Sequence, residues 1–387
     1  MKKTYNEDWL RARVIQANAE RWYRRGLLSA ERLAHIKVRF PDGFYQANVW
    51  VKIALFLFTL LLNGCAGSLS GLVIAPIFGE SLPGIGLVSI GYGVGFFFLL
   101  NLFIRDRKLF RSGVDTALLY SAVGSLVGGL WLLVAPVADE RLWVYGLLAL
   151  PVLAYAVWRY GSRSMTLLLF VGGLFTLAVL ALELPWGRLL LPFLGMAVAG
   201  SVYLFAPKTQ RDDAHFYWLD ALIVAEIAAL VVFYACGNVF VVTWGNALIS
   251  GDATLPFSGI FYALTAVVPV VYVVFGVRNR DRNLLVVGLL ALAASVLTFQ
   301  STTFQLPWSL FLTLSGAVLI AASGWLLRRL DPEWAGFTSV PENRRVGAST
   351  AEALSTTEFP QLPEPEAAPN PLFGGGSFGG AGAGEGY

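Results

Sequence analysis

The chain has 387 residues, 56% of them apolar and only 14% charged, with a net charge of +3 and a mean hydropathy of +0.64. A soluble globular chain carries about 25% charged residues, and apolar runs of roughly 18 or more residues recur here, which excludes a single water-soluble core. Cys65 and Cys236 fall in apolar segments at different depths, and His35 and His215 lie far apart, so neither a disulfide nor a bound metal is expected.

Residues 1–50 are polar and basic, and no short basic n-region followed by an apolar h-region opens them, so no secretory signal is expected. They read as a helical hairpin in water. The first helix runs from about Asn6 to Arg25 and stops at Gly26 after a basic turn. Ser29 is the N-cap of the second, with Glu31 in its first turn and Leu33, Ile36 and Phe40 as an apolar stripe. Pro41-Asp42-Gly43 is a turn. Phe44, Tyr45 and Trp50 are expected to anchor the chain at the membrane interface.

The fold class is an all-α polytopic membrane bundle of about ten spans, each near the ~20 residues a bilayer requires. They are predicted at 52–77, 82–104, 114–137, 142–159, 164–184, 188–206, 216–237, 257–277, 283–300 and 307–327. Alternate loops carry Arg105, Arg107, Lys108 and Arg111, then Arg159 and Arg163, then Lys208 and Arg211, then Arg278, Arg280 and Arg282. The remaining loops carry only Arg141 and Arg188, so the count is eleven basic residues against two. Such an asymmetry marks the cytoplasmic side, and it places both termini there. Trp50, Trp158, Trp218 and Trp325 then fall at cytoplasmic ends, and Trp143, Trp186, Trp244 and Trp308 at the opposite ends, as interfacial belts require.

An internal repeat is visible. LALELPWGRLLLPFLGMAVAG (180–200) parallels TTFQLPWSLFLTLSGAVLIAA (302–322), aligning Pro185-Trp186 on Pro307-Trp308. Upstream, Pro151 aligns on Pro269 and Asp115 on Asp220. Spans 3–6 thus read as duplicated in spans 7–10, giving a two-helix lead-in (51–104), repeat 1 (105–206) and repeat 2 (207–330). A four-helix unit returns to its starting side, so the repeats are parallel. Residues 331–387 are rich in Pro and Glu, then in Gly, and are expected to form a disordered tail.

The stretch from His215 to Trp244 is the one apolar stretch holding two carboxylates, Asp220 and Glu226. Counted from Phe216, Glu226 lies about 15 Å deep, near the midplane. An ionised, unpaired carboxylate is costly there, so the group should be protonated or hydrogen-bonded. A carboxyl of that kind can couple a proton or cation to transport, or simply bond a neighbouring helix. Asp115 and Asp220 sit about one turn inside their spans. They read either as a symmetric pair flanking a substrate path or as helix-start carboxylates that satisfy the first amides. Gly67/Gly71, Gly91/Gly95 and Gly124/Gly128 suggest close helix packing. Pro76, Pro136, Pro151, Pro192 and Pro269 are compatible with kinked or broken helices. No metalloprotease or phosphate-loop motif appears. The single GxSxG match, at 375–379, lies in the Gly-rich tail, away from any strand-to-helix context. No cofactor or nucleic acid is expected. The basic hairpin with Trp9, Trp22 and Tyr23 suits anionic headgroups.

The segment ANAERWYRRGLLSAERLAHI (17–36), a Trp-x-x-x-Gly-Leu-Leu-Ser hairpin followed by many spans, resembles a bacterial multi-pass membrane family of unknown function. The stretch HFYWLDALIVAE is similar to Bacteroidetes-type membrane proteins of the same style. The resemblance implies a bacterial inner-membrane protein and brings no activity or site residues with it. Two functions are compatible with the sequence. One is a secondary transporter for a small solute or proton, with a cavity between the repeats that includes Glu226. The other is a membrane scaffold or sensor that recruits cytoplasmic protein partners through its hairpin and tail.

Overall fold

The computed structural model describes residues 4–329 except 46–47, 79–80, 139–140, 211–212, 252–256 and 305–306. The expected tail at 331–387 and the loop residue Arg211 lie outside the described residues, as do the side chains of Pro76, Lys208 and Arg329. Among the described residues helix is the regular structure throughout, apart from one isolated bridge between Tyr45 and Leu109.

Two short helices open the chain, α1 (Glu7–Arg24) and α2 (Ala30–Arg39). Asn6 caps the first by accepting from the Asp8 amide, and Ser29 caps the second by accepting from the Arg32 amide. Gly26 takes φ 74° between them, as the sequence predicts for the turn. Lys37 Nζ lies 2.8 Å from Glu20 Oε1 across the hairpin. That hydrogen bond holds the Glu20 carboxyl below its ordinary range.

The membrane-length helices follow: α3 (Val49–Phe78), α4 (Leu82–Arg107), α5 (Val114–Val134), α6 (Leu142–Tyr160), α7 (Arg163–Leu182) and α8 (Gly187–Gln210). A 3₁₀ turn, Asp213–Trp218, leads into α9 (Leu219–Gly237), which is followed by the short α10 (Val239–Ser250). The remainder are α11 (Ser258–Arg278), α12 (Arg282–Phe299), a π-helical turn (Gln300–Phe304) and α13 (Trp308–Arg329). Nine of these are long and apolar enough to cross a bilayer among the described residues. The tenth predicted span coincides with α13, whose described apolar stretch is Trp308–Ala317. The outer faces of the bundle are apolar, with Leu72, Phe98, Phe205, Leu290 and Ile320 each more than 60% exposed.

Successive helices pack as antiparallel pairs, most closely α4 on α5, α8 on α9, α11 on α12 and α6 on α7. Lipid is as apolar as a leucine side chain, so close backbone approach and hydrogen bonds between helices must hold such pairs. Gly86 and Gly129 bring the backbones of α4 and α5 close together. A Cβ on either would lie 2.7 Å from the other's carbonyl oxygen. This corrects the expected packing register. Gly67, Gly71, Gly91, Gly95, Gly124 and Gly128 each face open space, because the contact stripe of α4–α5 runs through Gly86, Gly93 and Gly129 on another face. Polar links supplement it: Asn63 Nδ2 donates to Ser121 Oγ at 2.9 Å, Ser89 Oγ to the Ser125 carbonyl at 2.9 Å, and Trp131 Nε1 to the Tyr145 carbonyl at 2.8 Å.

Two larger apolar cores result among the described residues, with a smaller third of Val239, Val242 and Phe261 where α10 meets α11. One gathers Leu100, Leu118, Leu153, Ala156 and Met165 from α4–α7, together with Tyr5 and Phe44 of the hairpin region. The other gathers Leu230, Tyr234, Val268, Tyr272 and Val287 from α9, α11 and α12. Phe44 is therefore not an interfacial anchor. It is 6% exposed, because the hairpin folds back onto the bundle and Phe44 stacks on Phe110 with ring centroids 4.9 Å apart.

Gly86→Leu should lower the melting midpoint in detergent by several degrees, since overpacking a tight contact costs about 1–3 kcal/mol. Gly124→Leu, with no atom within 4 Å of its Cβ position, should leave the midpoint unchanged. Equal midpoints for the two variants would contradict the observed α4–α5 register.

Candidate functional site

Asp115 and Asp220 meet at the end of the bundle that carries the hairpin. Asp115 is the second residue of α5 and is 3% exposed. Its Oδ2 accepts from the Arg111 amide at 2.7 Å, and its Oδ1 accepts from the Ser112 amide at 2.8 Å and Ser112 Oγ at 3.0 Å. The segment it clasps is strained, with Lys108 at φ 52° and Arg111 at φ 50°, where non-glycine residues are disfavoured. Gly113, at φ 101°, completes the turn, and the Lys52 carbonyl of α3 occupies the space a side chain would need. Tyr5 Oη, from the hairpin, approaches Asp115 Oδ2 at 3.4 Å. Burial, and then the nearby Asp115 charge, push the Tyr5 phenol well above its ordinary pKa. It therefore stays a neutral donor through the physiological range.

Asp220 accepts from two guanidinium groups. Arg111 Nη2 lies 2.6 Å from Oδ2, and Arg163 Nη2 lies 2.6 Å from Oδ1. The 3₁₀ turn before α9 aims it there. That turn is pinned to the end of α6 by Tyr217 Oη on the Arg159 carbonyl at 2.7 Å and Trp218 Nε1 on the Trp158 carbonyl at 3.0 Å. The two predicted carboxylates thus share one arginine, Asp115 through its amide and Asp220 through its guanidinium. Asp115 does not satisfy the first amides of α5, the helix-start role read from the sequence, since α5 has no side-chain cap and the carboxylate accepts from Arg111 and Ser112, which precede the helix. The two bound arginines are the part that position within a helix does not reveal.

Glu226 is 3% exposed and lies on α9, six residues beyond Asp220, about 9 Å further along the axis. It is enclosed where α8 packs on α9, within range of the Tyr203 phenol. The main cavities of the described residues do not include it.

The feature the sequence reading missed is the break between α9 and α10. Residues 238–256 read as an extramembrane loop, yet Val239–Ser250 is helical and apolar. Asn238, 2% exposed, has extended backbone (φ −81°, ψ 123°) and stops α9. Its Oδ1 then caps α10, accepting from the amides of Phe240 at 3.0 Å and Val241 at 3.2 Å. Its Nδ2 donates to Tyr234 Oη at 2.9 Å and to Thr298 Oγ1 at 3.0 Å. The Val239 amide donates to Thr265 Oγ1 at 2.9 Å, and Ser295 Oγ donates to the Thr265 carbonyl at 2.8 Å. The signal available was the Gly237-Asn238 pair inside an apolar run, which is turn and N-cap chemistry. The prolines marked no such break. α6 and α11 run through Pro151 and Pro269.

Beside the break, at the end of the bundle away from the hairpin, lies a cavity of about 460 Å³. Pro192 and Leu189 of α8, Cys236 of α9, Val242 and Asn246 of α10, and Phe261 of α11 help to line it, with Arg188 at its edge. Its walls are apolar with few polar groups, the usual character of a small-molecule site.

Comparison of the chain with protein-family models, with curated proteins and with solved structures finds no match. The helices define the class by themselves. The chain is an integral membrane protein that crosses the bilayer many times.

Asp115→Ala should speed tryptic cleavage within residues 11–25, because it leaves two buried amides and a hydroxyl without their acceptor, at about 1–3 kcal/mol per unsatisfied group. Asp220→Ala should act more weakly, since that carboxylate is 35% exposed. Cleavage of Asp115→Ala at the wild-type rate would show that the hairpin is held by other contacts.

Proposed function

We propose that the chain is a secondary transporter whose solute chamber is the cavity at the α9–α10 break. The observation that carries this reading is the coincidence of a broken helix with a half-open, mostly apolar cavity beside it. Discontinuous helices build the solute sites of many transporters, where non-helical backbone lines a cavity. The chamber suits a small, largely apolar solute with one polar end facing Asn246 or Arg188.

Glu226 is the coupling group in this scheme. It stands on the same helix as the chamber wall, about 14 Å from Ala235 along the axis. Asp115, Asp220, Arg111 and Arg163 close the path at the hairpin end and must rearrange for the chamber to open there. The basic loops make that end cytoplasmic, so both termini face the cytoplasm, and the hairpin resemblance points to a bacterial inner membrane. The proposed duplication agrees with the packing. The pair α6–α7 has its counterpart in α11–α12, with Pro151 and Pro269 inside equivalent helices. The scaffold reading has less behind it, because Tyr5, Trp9, Leu10 and Phe44 of the hairpin region pack on the chain's own bundle.

Uptake into proteoliposomes, assayed with aliphatic amino acids, short carboxylates and aromatic acids, tests the proposal. Wild type should accumulate at least one class. Gly245→Trp, whose side chain projects into open space at the chamber, should abolish that uptake while the protein remains monodisperse. Glu226→Gln should flatten its dependence on a pH gradient. No uptake of any class, or full uptake by Gly245→Trp, would refute the chamber. An unaltered pH dependence in Glu226→Gln would remove the coupling role alone.

A further inference from the structure

A second cavity, of about 270 Å³, lies between the hairpin and the bundle. Arg13 and Arg21 line it from α1, and Arg111 and Arg163 from the bundle, while Asp220 is the one acid in its wall. With Arg13 also paired to Asp42 at 3.5 Å, that leaves two uncompensated positive charges around a small space. Three of the four guanidinium groups, those of Arg13, Arg111 and Arg163, are held in place before any ligand arrives. Arg13 and Arg111 both stack on Phe110, at 5.2 and 5.0 Å from the ring centroid. Arg111 and Arg163 are fixed by Asp220 at 2.6 Å each. The terminal nitrogen Nη1 of Arg13 is buried and makes no hydrogen bond, with its nearest carboxylate, Asp42 Oδ2, at 3.5 Å. Asn18 adds a neutral polar group, and Phe216 and Tyr217 form an apolar flank.

We infer that this cavity binds a phosphate group, gripped by the hairpin arginines on one side and the bundle arginines on the other. Converging planar guanidinium groups match phosphate oxygens in pairs, which a single ammonium does not. The site lies level with the starts of α5, α7 and α9, where lipid phosphates sit around a bundle in a bilayer. Its aromatic flank suits the glycerol end of a lipid. The group therefore arrives either on an anionic phospholipid or as a soluble phosphate. In both cases it locks the hairpin down, because its ligands come from both parts. This inference stands independently of any transport role.

The test uses the full chain, purified and delipidated, with melting followed as ligand is added. One arm adds phosphatidylglycerol, a second adds zwitterionic phosphatidylcholine, and a third adds pyrophosphate in detergent. Wild type should be stabilised by phosphatidylglycerol, by pyrophosphate or by both, and not by phosphatidylcholine. Stabilisation by phosphatidylglycerol alone identifies a lipid headgroup, and stabilisation by pyrophosphate identifies a soluble phosphate. Arg13→Gln with Arg21→Gln should weaken binding about tenfold or more, the loss of one charged hydrogen-bonded contact. If Arg13→Gln loosens the hairpin, Arg21→Gln alone carries the comparison, since Arg21 is exposed, and it should weaken binding measurably. No stabilisation by either phosphate, or wild-type affinity in the arginine variants, would overturn the inference.

Discussion

A backbone amide or carbonyl inside hydrocarbon has no water to bond, and most of this architecture follows from that constraint. It makes the described spans helical from end to end. It also sets a condition on any departure from helix, since each freed group must find a protein partner. The chain departs at Asn238, whose own amide bonds the Ala235 carbonyl, and side chains accept from the three amides that follow. Thr265 accepts the Val239 amide, Asn238 itself accepts the next two, and Thr298 and Tyr234 take its side-chain protons. Three helices thus collaborate to end one helix and begin another.

The opposite end of the bundle answers a different demand. There the problem is not absent water but excess positive charge, concentrated by the basic loops. Asp115 and Asp220 respond in different ways. Asp115 is buried and binds backbone, so it shapes a strained turn. Asp220 is half-buried and binds guanidinium groups, so it joins α9 to the starts of α5 and α7. The hairpin then docks on the surface they build, through Tyr5 and Phe44. Its aromatic residues fill gaps among arginines, with Lys108 over Trp9 at 5.2 Å and Arg11 over Phe216 at 5.5 Å.

Span positions were legible in the sequence because composition alone decides them. The predicted 82–104 and 142–159 became Leu82–Arg107 and Leu142–Tyr160. Caps at Asn6 and Ser29 were legible because they act within a few residues. What failed was anything depending on rotation about a helix axis or on distant partners. In a helix apolar on all sides, nothing marks which face meets a neighbour, so Gly91/Gly95 could not be told from Gly86/Gly93. α10 was missed because an apolar helix of 12 residues is too short to read as a span. Glu226 was legible as a buried acid, but its enclosure by α8 and its separation from the chamber were not.

The proposed duplication gives these two ends a common logic. The two carboxylates aligned in that proposal, Asp115 and Asp220, converge on a single arginine. The helix α10 stands between α9 and α11, where the chain has only a short link between α5 and α6. The chamber lies at that difference. Ending α9 at Asn238 brings polar side chains of α11 and α12 to the break, and the cavity lies beside them. The cavity therefore lies where the link from α9 to α11 departs from the short link between α5 and α6, at the end of the bundle opposite the shared arginine.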